Sequence, residues 1–194
     1  MPTIFTHGAF AFGATKIAIQ KADKRILAAA SILAAVPDVD ALFMRWIAYG
    51  DPFGHRGFTH SLLFALVAGA GVAWLFIKMR WNGRRGFWLL AAWFALVTAS
   101  HGFFDALTDG GLGVAFFAPF DNRRYFFPFR PIPVAPLSAA GLFTASGLHL
   151  LLREFLLIWT FTLGALIWHR RSTGRKIIAA LCWGVCLLMW VVAR

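Results

Sequence analysis

Long apolar stretches, separated by short basic turns, dominate the pattern of this 194-residue chain. A helix rises about 1.5 Å per residue, so roughly 20 apolar residues cross the hydrocarbon layer of a membrane. Four stretches approach that length: residues 61–79, 87–107, 149–168 and 177–193. The pattern therefore predicts about four membrane-spanning helices.

Two shorter apolar stretches, residues 4–20 and 26–36, precede these four. The second ends at Pro37, which cannot donate a helical hydrogen bond and disfavours helical geometry at the residue before it. We interpret the two stretches as a helical hairpin packed on the bundle. The predicted fold is thus an all-α, polytopic membrane helical bundle forming one membrane-embedded domain, residues 1–194. Its parts are the N-terminal hairpin with PDVD (1–50), two helices with HRGFTH and HGFFD (55–108), an aromatic loop (109–147) and two C-terminal helices (148–194).

Composition supports a membrane protein, because 60% of the residues are hydrophobic and only 14% are charged. Soluble domains carry about one-quarter charged residues. The net charge of +11 is compatible with nucleic-acid binding, but basic loops on one membrane face explain it better. Two cysteines, Cys182 and Cys186, lie in an apolar run, which indicates core or lipid-facing residues rather than a disulfide or a metal pair.

The basic residues concentrate in three turns, which hold 12 of the 19 Lys and Arg but only one of the eight acids, Asp23. Their members are Lys16, Lys21, Lys24 and Arg25; Lys78, Arg80, Arg84 and Arg85; Arg170, Arg171, Arg175 and Lys176. The positive-inside bias predicts that these turns are cytoplasmic. Alternation of the helices then predicts that the other seven acids lie on the outer side.

Five segments each place one His, Asp or Glu at a similar distance from a basic turn. The separations along the chain are 13 to 18 residues, or roughly 20–27 Å of helix. The residues are His7, Asp38, His60, His101 and Glu154. Ionisable groups within membrane segments are costly and need a partner or a function. The spacing therefore predicts one polar layer inside the bundle, near the outer leaflet.

Two motifs carry the acids of this layer. In HGFFD, His101 and Asp105 are four residues apart and share one helix face. They could ligate one metal ion, or they could form a simple buried hydrogen bond. In PDVD, Asp38 and Asp40 are candidate ligands; the alternative is that Asp40 caps a helix over residues 41–48.

A third motif, HRGFTHSLL, carries His55, Arg56 and His60. Gly57 predicts a bend before a helix that begins near Thr59, with Thr59 as its cap, and the bend could bring both imidazoles to one point. Arg56 suits capture of phosphate or of charge that develops in a transition state. The alternatives are that Arg56 pairs only with Asp51, and that His55 is a solvated loop residue.

These donors predict a metal site. Nitrogen and oxygen ligands without thiolates favour zinc, with manganese or iron as alternatives, and their number allows one or two ions. The predicted ligands are His7, Asp38, Asp40, His60, His101 and Asp105. Arg56 would stabilise negative charge, and His55 or Glu154 would transfer protons; Glu154 could instead form an interfacial pair with Arg153. A metal-bound hydroxide next to an arginine indicates hydrolysis of a phosphoester.

An aromatic and proline-rich segment, GVAFFAPFDNRRYFFPFRPIPVAP, includes Arg123, Arg124 and Arg130. Such a strip would lie at the headgroup level, with rings in the lipid and guanidinium groups on phosphates of the substrate. The alternative is a rigid cap over the bundle. In both cases a lipid or lipid-linked substrate could pass beneath it.

The order of these motifs, from the early histidine through PDVD, HRGFTHSLL, HGFFDALTDGG and the aromatic segment to the REF glutamate, resembles a known family. It is that of LexA-binding, inner membrane-associated, metal-dependent hydrolases linked to the SOS response. The resemblance implies a multi-pass bacterial inner-membrane protein with a metal site at His7, Asp38, Asp40, His55, His60, His101 and Asp105, and with Glu154 nearby. No helix-turn-helix pattern accompanies the implied LexA association.

Other functions stay open from the sequence. The same polar layer could serve a transporter or a non-enzymatic metal-binding protein, although a transporter needs a path to the inner side. The His–Asp pairs could also simply stabilise a structural or regulatory membrane partner. A homo-oligomer is compatible with the pattern, and nucleic acid is not expected as a ligand.

Overall fold

The computed structural model describes residues 2–20, 22–78, 83–136, 139–168 and 173–192. These ranges contain seven α-helices and no strand, which confirms the predicted all-α class. The helices are α1 (Ile4–Ala18), α2 (Lys24–Leu33), α3 (Leu62–Lys78), α4 (Gly83–Ala106), α5 (Ala145–Glu154), α6 (Thr160–Trp168) and α7 (Thr173–Val192). Short 3₁₀ helices span Val36–Phe43, Phe58–His60 and Ala139–Phe143. A π-helical turn, Phe155–Trp159, joins α5 to α6.

Two described helices are long and apolar enough to cross a membrane, Gly86–Ala106 and Ala145–Trp168. A third span is formed if α2 and the following 3₁₀ helix, bent by 41°, are counted together. Leu62–Phe76 and Lys176–Val192 are apolar but shorter within the described residues. All four predicted runs are therefore helical in their described parts. These parts contain two or three candidate spans, so the predicted number of about four spans stays a prediction.

The N-terminal hairpin forms as the sequence predicts. Asp23 begins α2, because its carboxylate accepts hydrogen bonds from the backbone N–H groups of Arg25 and Ile26 at 3.0 and 2.9 Å. After α2 the chain tightens into the 3₁₀ helix, where Asp38 N–H donates to the Ala35 carbonyl at 3.2 Å. This change of helix type before and through PDVD turns the acidic motif back onto α4.

Small residues bring the helices close together. A Cβ added to Gly69 of α3 would lie 2.4 Å from the backbone nitrogen of Ala95 on α4. One added to Gly13 of α1 would lie 2.2 Å from Thr162 Cγ2 on α6. Close backbone approach at small residues is typical of helix pairs in membranes, where dispersion contacts rather than the hydrophobic effect drive association.

Two local helix predictions around the site are wrong. Helix α3 begins at Leu62 rather than near Thr59, and Ser61 is its cap, because the Ser61 hydroxyl accepts from Phe64 N–H at 3.0 Å. Asp40 does not cap a helix over residues 41–48, since it lies inside the 3₁₀ helix Val36–Phe43. The physical reason is that Thr59 and Asp40 use their side-chain oxygens for each other, at 2.6 Å.

The segment after α4 has little regular structure between residues 107 and 136. Val114 and Tyr125 exchange two backbone hydrogen bonds of 2.9 Å and close a loop between them. Backbone contact between Thr108 and Ile132 fixes the start of the segment to its end. The segment therefore folds back over the C-terminal end of α4, which carries HGFFD.

Candidate metal centre

Four separate elements bring buried histidines and aspartates together at one end of the bundle. The donor atoms of Asp38, His60, His101 and Asp105 all lie within 4.8 Å of one another. A second, overlapping group with the same limit contains Asp38, Asp40, His55 and His60. All six residues are buried. Residues up to 67 positions apart in the chain thus share one pocket, as the common polar layer predicts.

Glycines allow these elements to approach. A Cβ on Gly57 would lie 2.3 Å from the Pro52 carbonyl oxygen, so only glycine fits the bend of HRGFTH. A Cβ on Gly102, within HGFFD, would lie 3.0 Å from the His60 carbonyl oxygen. The second glycine lets the 3₁₀ turn that carries His60 lie directly on α4.

At the centre of the cluster, the side chains of Asp38, His60, His101 and Asp105 form a ring of closely spaced candidate ligand atoms. His101 Nε2 lies 3.2 Å from Asp38 Oδ1, and His60 Nε2 lies 3.6 Å from the same oxygen. His60 Nε2 also lies 3.5 Å from Asp105 Oδ2. These separations fit ligands that surround one ion, because two ligand atoms each about 2.0–2.1 Å from a metal are themselves more than 3 Å apart.

Several atoms of this ring have no hydrogen-bond partner among the described residues. They are Asp38 Oδ2, His60 Nε2 and both carboxylate oxygens of Asp105. Buried polar atoms left unpaired are costly. Three carboxylates, from Asp38, Asp40 and Asp105, face one guanidinium, from Arg56, so with neutral histidines the cluster carries a net charge of −2. A divalent cation would neutralise that charge and bind the unpaired atoms.

The Nδ1 atoms of His60 and His101 each make a contact that orients the imidazole. His101 Nδ1 lies 2.7 Å from the Ala34 carbonyl oxygen, which can only accept, so Nδ1 carries the proton and Nε2 presents its lone pair to the cluster. His60 Nδ1 lies 3.1 Å from Asp40 Oδ2 in the same way.

Asp40 is itself occupied by the chain. Its Oδ1 accepts from His55 Nδ1 at 2.6 Å. Its Oδ2 accepts from the Thr59 hydroxyl at 2.6 Å and from Arg56 N–H at 3.2 Å. The geometry therefore favours Asp40 as the carboxylate that orients His55 and His60, whereas Asp38 and Asp105 have free oxygens for an ion.

His7 flanks the ring from α1. Its imidazole stacks on that of His101, with centroids 3.8 Å apart and planes inclined by 16°. His7 Nε2 lies 3.6 Å from Asp105 Oδ1, and neither ring nitrogen has a hydrogen-bond partner among the described residues. His7 is absent from both sets of mutually close donors, so its predicted role as a ligand has weaker geometric support than that of His60 or His101.

Arg56 is fully buried beside the ring, with a backbone φ of 62°. Its Nε lies 3.0 Å from Asp105 Oδ2, and its two terminal nitrogens donate to the Gly110 carbonyl at 2.8 Å and the Thr108 hydroxyl at 2.9 Å. The alternative pairing with Asp51 is not observed, since Arg56 uses Asp105. Thr108 and Thr59 are site residues that the sequence analysis did not assign as such; a threonine hydroxyl leaves no distinctive spacing in a sequence.

A cavity of about 330 Å³ opens against this cluster. Its polar wall consists of Tyr49, His55 and Arg56, and Gly111 contributes backbone. Gly111 has a φ of +87°, and a Cβ there would lie 2.4 Å from the Tyr49 hydroxyl and 2.8 Å from an Arg56 nitrogen. The glycine therefore keeps space beside the guanidinium.

Glu154 lies in a different environment. Its Oε1 accepts from the backbone N–H of Thr3 at 2.5 Å, and its Oε2 accepts from the hydroxyls of Thr3 and Thr6 at 2.6 Å each. The carboxylate is buried and its described hydrogen bonds are all to the start of α1. It holds the segment that carries His7, and neither the proton-transfer role nor the pairing with Arg153 has a supporting contact among the described residues.

The three arginines of the aromatic segment differ from one another. Arg124 donates to three backbone carbonyls, of His55, Tyr49 and Asp51, at 2.8 to 3.0 Å, and so fixes the loop before the site. Arg123 is exposed and pairs with Asp121 at 2.8 Å; its hydrogen bonds lower the pKa of that carboxyl. Arg130 lies exposed over the Phe126 ring at 4.9 Å. Arg123 and Arg130 are thus placed to meet headgroups, whereas Arg124 is committed to the backbone.

The described residues of the first two basic turns lie at the opposite ends of their helices from this cluster. Lys16 ends α1 far from His7, and Lys78 ends α3 far from His60. Lys21, Arg80, Arg170 and Arg171 are outside the described residues, and so is His169. The cluster thus lies at one end of the helices, away from the described basic residues.

The family of the chain agrees with these features. A family model described as "YdjM inner membrane protein" matches residues 1–194. The chain is 37% identical over 178 residues to "Inner membrane protein YbcI" of Escherichia coli (strain K12). The matched region covers 88% of this chain and all of that relative. No solved structure matches the chain. The membrane part of the predicted resemblance is confirmed, whereas its LexA association and hydrolase activity stay predictions. The chain belongs to the YdjM inner membrane protein family.

Proposed function

We propose that this protein is a membrane-bound, metal-dependent hydrolase that cleaves a phosphoester bond of a lipid or lipid-linked substrate on the extracytoplasmic side. One observation carries the proposal. Buried atoms of Asp38, His60 and Asp105 that make no hydrogen bond among the described residues lie beside a buried arginine, which forms an ion pair with Asp105 and lines a cavity. A buried polar cluster that only stabilised a fold would satisfy its own atoms.

The residues that would hold the ion are Asp38, His60, His101 and Asp105, with His7 beside them. Zinc suits this set of imidazoles and carboxylates, and manganese or iron are the alternatives. A divalent cation bound there would lower the pKa of a coordinated water and supply hydroxide near neutral pH. Asp40 and the Ala34 carbonyl keep the ring nitrogens of His60 and His101 in the orientation that ligation requires.

The cavity residues supply the remaining chemistry. Arg56 has five guanidinium N–H groups, of which the described contacts use one on each nitrogen. The free ones can bind phosphate oxygens, whose charge grows as the bond to the leaving group breaks. His55 donates its Nδ1 proton to Asp40, so its Nε2 can accept a proton from water or return one to the leaving group.

Two features support a lipid substrate on the outer side. The described residues of the first two basic turns lie at the helix ends opposite to the cluster, and the positive-inside bias favours the cytoplasm for them. Exposed aromatic residues follow PDVD and lie in the aromatic segment, among them Trp46 at 77% and Phe120 at 86% exposure. Such side chains favour the boundary between headgroups and hydrocarbon.

Elemental analysis of the purified protein tests the proposal most directly. We expect at least one transition-metal ion per chain, lost in the Asp38→Ala, His60→Ala double variant. The matched control is Asp121→Ala, His149→Ala, which removes one partly exposed carboxylate and one exposed imidazole, both outside the cluster. Hydrolysis of phosphatidic acid or of an isoprenoid phosphate should be lost with the metal and kept in the control.

The outcomes separate the candidate functions. Metal-free protein from metal-replete cells overturns the proposal. Stoichiometric metal with no hydrolysis, together with metal flux into proteoliposomes, would instead identify a metal transporter.

A further inference from the structure

A second cavity, of about 330 Å³, lies between α1, α4, α6 and α7, outside the cluster of histidines and aspartates. Its floor consists of the buried residues Phe104, Leu157, Ile158 and Cys186. Its mouth is formed by Phe161 and Leu187, which are 50% and 67% exposed. The cavity is therefore deep on the inside and open at the surface of the bundle.

The Leu157 carbonyl, in the π-helical turn that lines the cavity, is hydrogen-bonded within the protein. The turn Phe155–Trp159 departs from α-helical hydrogen bonding and carries the Leu157 carbonyl. That oxygen accepts from Trp190 Nε1 and from Cys186 Sγ, both at 3.3 Å. Both of these donors belong to α7, so the Leu157 oxygen is already hydrogen-bonded and offers no binding partner to a polar ligand.

We propose that this cavity binds one acyl chain of a bilayer phospholipid. Its walls belong to the two helices that are long enough to span a membrane, through Phe104 on one and through Leu157, Ile158 and Phe161 on the other. The medium at its mouth is therefore hydrocarbon. A polar ligand would lose its hydrogen bonds on entering such a site, whereas an acyl chain gains dispersion contacts with the walls.

One aromatic ring, that of Phe104, separates the cavity from the metal centre. Phe104 packs edge-to-face on Phe10 of the cavity, with centroids 4.8 Å apart, and its ring also lies 6.1 Å from that of His7. His7 in turn stacks on His101. A chain in the cavity would thus hold its headgroup close to the cluster. That consequence rests on the proposed hydrolase function, but chain binding itself does not.

Photo-crosslinking in lipid nanodiscs tests the inference. The nanodiscs contain phosphatidylethanolamine and a phosphatidylglycerol that carries a diazirine on one acyl chain, and mass spectrometry locates the adducts on the full-length protein. We expect adducts concentrated on residues of the cavity. Cys186→Phe fills the floor and should lower cavity labelling severalfold, because the added ring occupies space that the acyl chain would fill and removes its dispersion contacts.

The control is Leu188→Phe, which adds the same ring to a neighbouring residue that is 61% exposed and outside the cavity; its labelling should equal the wild type. If Cys186→Phe does not fold, Leu187→Trp blocks the mouth through an exposed side chain and should lower labelling in the same way. Adducts spread evenly over the lipid-facing helices, or cavity labelling that neither variant lowers, overturn the inference. Preferential labelling by a diazirine polyprenyl phosphate would replace the acyl chain with an isoprenoid.

The same nanodisc samples distinguish this inference from the proposed function. Metal content and crosslinking are measured on one preparation and on the Asp38→Ala, His60→Ala variant. Cavity labelling without metal or hydrolysis would support the chain site and remove the hydrolase. Metal and hydrolysis without cavity labelling would keep the hydrolase and remove the chain site.

Discussion

Two regions of this membrane protein bury carboxylates, and they treat them in opposite ways. At the start of α1, Glu154 accepts three hydrogen bonds, and both of its oxygens are occupied. In the ring of candidate ligands, both carboxylate oxygens of Asp105 and one of Asp38 have no hydrogen-bond partner among the described residues. All three side chains are buried. The comparison teaches that the partners of a buried acid, and not its burial, separate a structural role from a ligand role.

The largest effect is expected from Asp38→Asn. The change keeps the shape of the side chain but removes the negative charge and replaces one candidate ligand oxygen with an amide nitrogen. Loss of a partner outside the ligand shell already weakens metal binding about 10–100-fold, so loss of a ligand should weaken it by more than about 100-fold. Competition with a chelator of known affinity measures the change.

The matched substitution for this experiment is Asp109→Asn. The Asp109 carboxylate is exposed and accepts from Val134 N–H at 2.9 Å, away from the ring. It should bind metal as the wild type does. Equal metal affinity in Asp38→Asn and Asp109→Asn would remove Asp38 from the ligand set.

A smaller loss of metal affinity is expected from Asp40→Asn. Asp40 orients His55 and His60 but has no free oxygen among its described contacts. An amide at this position can accept only on one side, so His60 loses its fixed orientation and metal binding should weaken about 10–100-fold, without loss of stoichiometry at saturating metal. A loss as large as that of Asp38→Asn would instead make Asp40 a direct ligand, as the sequence analysis proposed.

Glu154→Gln should separate stability from metal binding. The substitution weakens the charge-assisted hydrogen bonds from Thr3 and Thr6, at a cost of about 1–3 kcal/mol in the free energy of unfolding. Metal content should not change. Thermal unfolding in detergent and elemental analysis of the same sample check both statements. Full thermal stability with lost hydrolysis would restore the predicted proton-transfer role of Glu154.

The smallest effects are expected from substitutions of two neighbouring arginines, Arg123 and Arg124, and they should differ from each other. Arg124→Ala removes three hydrogen bonds to the carbonyls of the loop before His55, so the unfolding temperature and any activity should fall moderately. Arg123→Ala removes only an exposed pair with Asp121 and should leave the unfolding temperature unchanged. A drop in lipid hydrolysis in Arg123→Ala at unchanged stability would support its predicted contact with headgroups.

Much of the fold and of the cluster could be predicted because both depend on periodic or paired signals. Apolar runs predicted the helices, and the spacing of acids and histidines from the basic turns predicted that they share one end of the bundle. The spacing of four residues between His101 and Asp105 placed them on one helix face.

The rest depends on contacts that leave no pattern. Whether Asp40 ligates or orients depends on the positions of Thr59 and His55, which the sequence places only approximately. The role of Glu154 depends on two threonines about 150 positions earlier. The π turn after Glu154, which contributes Leu157 and Ile158 to the second cavity, is not marked by any residue type in the chain.

The 3₁₀ helix after α2 links local backbone geometry to acid–base chemistry. Had α2 continued, the amide of residue 38 would have bonded to the oxygen of Ala34, four positions back. Because that amide reaches Ala35 instead, the Ala34 oxygen is left for the imidazole on α4. One shifted backbone hydrogen bond thus selects the tautomer of a histidine two helices away. Lengthening α2 by a single turn should leave that ring free to invert, even though every residue around it is unchanged.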